Sequence, residues 1–563
     1  MRLRVENHRR NVERFHSSES MRERIERVRE DMNDLNLFYN IDYSPVRKAR
    51  LRKFYLEELD GLKKAPFESY DQQSRIDFLL LQNHLRRQLQ QLDLDTAKDK
   101  VSEPLLPFAP AILCLCEDRQ KMKPVDGKKA AQAIFDIEKQ VSKIREKVSS
   151  KEVKLHKTSA FRTAKTVDSL QSHLAEWFGF FKAYDPTFTW WVTDPYKKVN
   201  NDLEEFANII REQLVGIKPG DKDAIVGDPI GHEGLMADLD AEKIPYAPEE
   251  LIEIGETEYV WCENEMKKAS QELGYGEDWK KALEYVKELY VDPGQQPQLI
   301  RELATEAYDY VTEHDLVTVP PLAEETWRMF MMSVEAQKVN PFFLGGDSII
   351  VSYPTDTMGH EAKLMSMRGN NIHFSRATVF HELIPGHHLQ MFMIARHRPY
   401  RQMFDTPFWI EGWSLYWEMI LWDDERFKKT PENRIGMLFW RMHRCARIIF
   451  SIKFHLGQMT PQECIDLLVD WVGHERATAE GEVRRSFAGD YSPLYQAGYM
   501  LGALQIYSLR QELVTTGKMS EKEFHDRVLV ENEMPIELLR ALIKNQPVTP
   551  EFKSSWRFYQ GHE

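Results

Sequence analysis

The chain has 563 residues, of which 42% are hydrophobic, including 13 Trp and 29 Phe, and a formal net charge of −14. That much apolar surface excludes wholesale disorder. Mild acidity with scattered basic residues argues against a nucleic-acid partner, and no apolar run approaches the ~18 residues of a membrane span.

The opening Met1-Arg2-Leu3-Arg4-Val5-Glu6 leads into a charged helical pattern rather than the apolar core of a signal peptide. In 70–93, Phe78, Leu81, Leu85, Leu89 and Leu92 step by three and four, marking one buried helical stripe. Segments 128–149 and 160–183 read the same way, with Asp185-Pro186 as a stop. The aromatic run Thr187–Val192 fits either a short strand or core packing. A Gly-, Pro- and Asp-rich loop spans 215–235, and Pro248 then opens a helix through about Leu273. Further helices are expected at 277–290, 297–315 and 322–336.

After Gly345-Gly346, the run 348–353 is β-branched and aromatic up to Pro354, which predicts a short strand. Its edge, with Tyr353 at the end, is a candidate for pairing with an extended peptide. From Ser375 the pattern is helical again, with Thr430-Pro431 and Thr460-Pro461 as cap-plus-Pro starts. The five cysteines, Cys114, Cys116, Cys262, Cys445 and Cys464, include no Cys-x-x-Cys and read as free thiols. The fold class is all-α with a minor β element near 347–354. It is read as a single large helical domain over 1–563 with approximate lobes 1–340 and 341–563.

The chemistry gathers at 381–418. In a His-Glu-x-x-His helix the two imidazoles sit one turn apart, about 40° round, and reach one ion. Here Pro385 stands at the second His position, and His387 on an unbroken helix would face away. Pro385 cannot donate to the carbonyl of His381 and disfavours helix at Ile384, while Gly386 accepts unusual angles. A two-residue bulge would return His387 toward His381. His388 is the competing ligand, since seven residues bring it back to the same face two turns away. Glu411 follows Thr406-Pro407, a helix start, and suits the third ligand position. Glu418, seven residues on, shares its face and can orient a His or be the ligand itself. His397 does not fit a three-His spacing.

The run His-Glu-x-x-Pro-Gly-His-His-x-Gln (381–390), followed by Glu-Gly-Trp-x-x-Tyr-x-Glu (411–418), resembles the signature of the bacterial domain-of-unknown-function 885 family. The likeness extends over roughly 75–563. It includes Pro229-Ile230-Gly231 through Glu250-Leu251, Arg447, His455 and the late Gln496-Ala497-x-x-Tyr499-x-x-Gly502; Ser486 departs from the Tyr that members often carry. The resemblance implies a two-lobed zincin-like body with a deep cleft and one zinc ion. It is also similar to helical gluzincins of the angiotensin-converting and carboxypeptidase Taq types; in the former the third ligand is a Glu 24 residues after the second His. His387 and Glu411 have that spacing.

Taken together, His381, His387 and Glu411 would hold zinc, with Glu382 as general base and Tyr499 as oxyanion donor by similarity. His455 and Arg447 would bind substrate. The expected activity is hydrolysis of small or unfolded peptides. The alternatives are a zinc amidase acting on a non-peptide amide and a silent peptide-binding scaffold. Family members are often exported, which implies a periplasmic location.

Overall fold

A computed structural model describes residues 19–562, apart from 222, 338, 339, 341 and 490. The expected charged helix at the N-terminus lies outside them. The described residues are mostly helical, with one two-stranded sheet, so the all-α expectation holds. None of their helices is long and apolar enough to cross a membrane.

Two compact units emerge. Among the described residues, one comprises 19–26, Pro66–His84 and 230–562, the other Arg27–Ala65 and Leu85–Pro229. These units do not follow the approximate lobes 1–340 and 341–563. Residues after 230 join the site-bearing unit because the helix Pro248–Glu272 packs along Pro431–His455, where Gly255 lets Ile448 and Ile449 come close. The stretch 66–84 joins it through Arg401, fully buried, which donates to Asp77 Oδ1 (2.8 Å), Gln73 Oε1 (2.7 Å) and Glu531 Oε2 (3.1 Å).

The other unit is a helical bundle around Gly127–Ser149, Lys157–Phe181 and Pro186–Ile209. The run at 187–192 is helix, not strand. Asp185 caps it by accepting from Phe188 N at 2.9 Å, Pro186 takes the first turn, and Phe188, Val192, Val199, Leu203 and Phe206 form the buried stripe. Helical period, not alternation, decides burial here: Trp190 is 82% exposed.

Near the site the expected 322–336 helix is broken. A short helix Pro321–Thr326 gives way to the strand Met329–Met331, which pairs in parallel with Ile349–Val351. The second edge of Ile349–Val351 is taken by Leu344, whose N–H donates to Ile350 O (2.9 Å) and whose carbonyl accepts from Ile350 N (2.8 Å). The edge proposed for peptide pairing is thus filled by the chain itself. Ile349 and Val351 pack with Phe343, Val379, Leu383 and Leu299, so the sheet leans on the helix that carries His381.

The helices Pro407–Asp423 and Tyr495–Arg510 approach through glycines. A Cβ on Gly412 would lie 2.7 Å from the Gly502 backbone, one on Gly498 would lie 2.9 Å from Pro407, and one on Gly502 would collide with the Phe408 carbonyl. We expect Gly502→Ala to push this pair apart, at a cost of ~1–3 kcal/mol for overpacking. Thermal unfolding reads it as a lowered Tm, where Gly179→Ala, at an open helical position, serves as the comparison.

Candidate metal centre

The His381 helix, Ile372–Glu382, starts at Asn371, whose side chain accepts from His373 N and Phe374 N at 3.0 Å each. Arg376 holds it by a two-pronged contact to Glu306 (2.9 and 2.6 Å). It ends at Glu382 because Pro385 has no N–H to continue it. A new helix, His387–Ile394, starts after Gly386.

Across the break, His388 N donates to Leu383 O at 3.1 Å, and Trp413 Nε1 donates to Pro385 O at 2.9 Å. The Pro-Gly pair is therefore bulged out and pinned to the Glu411 helix. Gly386 takes φ −79° and ψ −134°, neither helix nor strand, and a Cβ there would collide with the His381 carbonyl.

The bulge brings the His381 and His387 rings to 4.9 Å between centroids. Donor atoms of His381, Glu382 and His387 all lie within 4.8 Å of one another, close enough to hold a metal ion. Glu411 Oε2 is 3.5 Å from His381 Nε2 and 3.1 Å from His387 Nε2. All four side chains are buried.

Each ring is aimed by a partner behind it. His381 Nδ1 meets Glu418 Oε1 at 2.8 Å, and His387 Nδ1 meets Gln390 Oε1 at 3.2 Å. Gln390 is itself oriented by donating Nε2–H to Trp409 O (3.2 Å). Both Nε2 atoms are thereby left to face the centre. The outer oxygen of Glu411 accepts from the Tyr495 hydroxyl at 2.5 Å.

His388 is turned away, with Nε2 2.8 Å from Ala323 O and Nδ1 3.2 Å from Asp347 O. Arg447 and Tyr499 line the same cavity as the donor set, while Tyr353 and His455 do not. Tyr353 packs against the Leu299–Val351 cluster, and His455 lies against Phe454 and Phe487 at the far end of its helix. Neither reaches the centre, because the sheet edge and the helix end carrying them are turned elsewhere.

Sequence reasoning overlooked Tyr495, Gln390 and Gly345. Tyr495 sits one turn before Tyr499, and Gln390 three residues after His387, so helical spacing was the available signal. Gly345 had none. Its loop lies over Glu382: a Cβ there would collide with the Glu382 carboxylate and lie 3.1 Å from His387 Cδ2.

The charges are unevenly poised. Burial pushes the Glu382 carboxyl up from its usual range. Glu411 is equally buried, yet the His387 and His381 imidazoles hold it well below that range. Burial works against a charge on His381, but hydrogen bonds to Glu411 and Glu418 outweigh it and push the imidazole up to about 9. In the metal-free protein this proton stabilises the fold. The contribution is full below the ordinary 6.5 and is lost as pH rises through about 9. NMR titration of chelator-treated protein should find His381 still protonated at pH 7.5, and Glu418→Gln should lower its midpoint.

A mostly α-helical body with a buried two-histidine, two-carboxylate cluster is the class this architecture defines. The chain belongs to the family described as bacterial protein of unknown function (DUF885), whose model matches residues 40–543. No curated protein matches the chain. Among solved structures, a protein from Shewanella oneidensis described as a lipoprotein of unknown function is similar in fold, with a TM-score of 0.67 and 17% identity. The match covers 94% of this chain and 100% of that one. A protein from Colwellia psychrerythraea, also described as a lipoprotein, matches with a TM-score of 0.57 and 17% identity over 89% of this chain and 91% of the other.

Proposed function

We propose that the protein is a zinc-dependent peptidase. The observation that carries this reading is the convergence of two Nε2 atoms and one ionised carboxylate, with a second carboxylate beside them. The donor chemistry fits zinc. Imidazole and carboxylate without thiolate, backed by Glu418 and Gln390, is the set used where a ligand position stays open for chemistry. His381, His387 and Glu411 would hold the ion. When bound, zinc supplies a Lewis acid for a carbonyl oxygen and lowers the pKa of a water toward ~7.

The chain's own groups do the rest. Glu382, buried against Gly345 and raised by that burial, takes a proton from water and later delivers one to the leaving amine. Tyr499 stays protonated because burial and nearby Glu411 disfavour its phenolate, so it can donate to an oxyanion. One such donor is typically worth ~3 kcal/mol. Tyr495, already engaged by Glu411, is not free for that role. An exported location is part of the proposal, supported by the description of two proteins of similar fold as lipoproteins. Fractionation of producing cells tests it, and a purely cytosolic protein would overturn it.

Elemental analysis should find one zinc per chain. His387→Ala should release it and His388→Ala should keep it; the reverse pattern would refute the ligand assignment. Glu382→Gln should keep zinc and fold but slow hydrolysis of a peptide mixture by ~10²–10⁴. Undiminished turnover would remove Glu382 as the base.

Metal uptake must displace the His381 proton, so binding should release protons between pH 7 and 8 and tighten with pH up to about 9. Calorimetry in buffers of different ionisation enthalpy measures that release.

A further inference from the structure

Beside the donor set, the cavity wall is cationic. Arg444, Arg447 and Arg485 line it together with Tyr491, Tyr495 and Tyr499, in a space of about 340 Å³. Arg444 and Arg447 are buried, at 7% and 3% exposure. Among the described residues these three guanidinium groups donate one hydrogen bond, from Arg447 Nε to Glu482 Oε1 at 2.6 Å. Arg444 reaches Glu418 only at 3.8 Å, and that carboxylate already takes the His381 N–H. Arg485 is met by a ring, with Tyr491 4.6 Å away. Buried nitrogens on all three, Arg444 Nε, Arg447 Nη1 and Arg485 Nε, have no partner.

Buried guanidinium groups are ordinarily paired with carboxylates, and a planar fork of donors matches a carboxylate's two oxygens. This wall holds more hydrogen-bond donors than the protein's own acceptors answer. The deficit points at the ligand.

We propose that Arg444, Arg447 and Arg485 form a subsite for the free C-terminal carboxylate of a peptide, which makes the protein a carboxy-terminal trimming peptidase. The proposal rests on the zinc-peptidase reading and adds the position of the cut. The Tyr499 ring sets the distance. It lies 6.0 Å from the His381 ring and 4.4 Å from the Arg447 guanidinium carbon. The guanidinium is therefore no more than about 10 Å from that ring, the length of about three extended residues. A cavity this small suits a short chain end rather than a polypeptide passing through. In the step itself the peptide C–N bond breaks and the water oxygen bonds to the acyl carbon. One water proton goes to the leaving amine and the other leaves with the new carboxyl group.

The test separates recognition from turnover. Zinc-loaded Glu382→Gln protein is equilibrated with a pool of N-acetyl tripeptide acids and with the same pool as C-terminal amides, and bound peptide is measured by mass spectrometry. The acids should be retained at least tenfold better. Arg485→Gln should abolish the preference and Arg485→Lys should restore part of it, with zinc content and circular dichroism unchanged. Equal retention of acids and amides overturns the subsite, as does retention of neither. Amides bearing an internal Glu that bind as well as the acids would assign the wall to an acidic side chain and overturn the terminal reading.

In a second arm, wild-type protein digests a peptide mixture. Loss of one to three residues from free C-termini, with amidated peptides left intact, supports the proposal, and internal cutting of both overturns it. Acid-selective binding without any cleavage would leave the subsite standing and defeat the peptidase reading alone.

Discussion

The Glu411 carboxylate, buried between two imidazoles, is the constraint on which the site depends. A carboxylate removed from water is costly unless a positive charge and hydrogen bonds answer it. Here the answer comes from His381 and His387 at 3.5 and 3.1 Å on one oxygen and from Tyr495 on the other. Without an ion the positive charge is a proton on His381. In the proposed zinc reading a dication takes its place, and metal uptake is then linked to proton release.

Three pieces of chain must meet for this arrangement to form, and each meeting is enforced by packing. The Pro385-Gly386 bulge folds back on the His381 carbonyl and is pinned by Trp413. The Glu411 helix lies against the Tyr495 helix at a distance only Gly412, Gly498 and Gly502 permit. In the motif Glu-Gly-Trp-x-x-Tyr-x-Glu, Glu411 faces the centre, Gly412 admits the neighbouring helix and Trp413 fastens the bulge. Tyr416 contacts His525 Nε2 (2.7 Å), and Glu418 aims His381. The spacing looks like one binding motif, yet three of its five specified members, Gly412, Trp413 and Tyr416, are structural.

Opposite signs of charge share one small cavity. Glu382 and Glu411 stand near the imidazoles, while Arg444, Arg447 and Arg485 line the same cavity with one hydrogen-bonded carboxylate among them. Such a separation is stable in the folded protein because Glu482 anchors Arg447 and aromatic rings cover the other guanidinium groups. In the proposed reading it also gives the cavity a direction, from Glu382 as the proton-transfer group to the arginines as the anion subsite.

Periodicity and end signals made much of the helical fold legible, because a 3.6-residue repeat and Thr-Pro or Asp-Pro starts are local properties. The starts at Thr406, Thr430 and Thr460 all cap as read. Local signals failed at 187–192, where an aromatic run suited either period, and at 322–336, where the pairing of Met329–Met331 with a strand twenty residues on outweighed helical propensity. The sequence by itself determined which residue types stood ready for metal chemistry and that a broken helix was needed to unite His381 with His387. Only the tertiary structure decided that His388 turns to backbone carbonyls, that Tyr353 and His455 stand apart, and that Gly345, Tyr495, Arg444 and Arg485 complete the cavity. Those outcomes depend on which backbones can approach one another and which buried charges are left unanswered, and neither is a property of spacing along the chain.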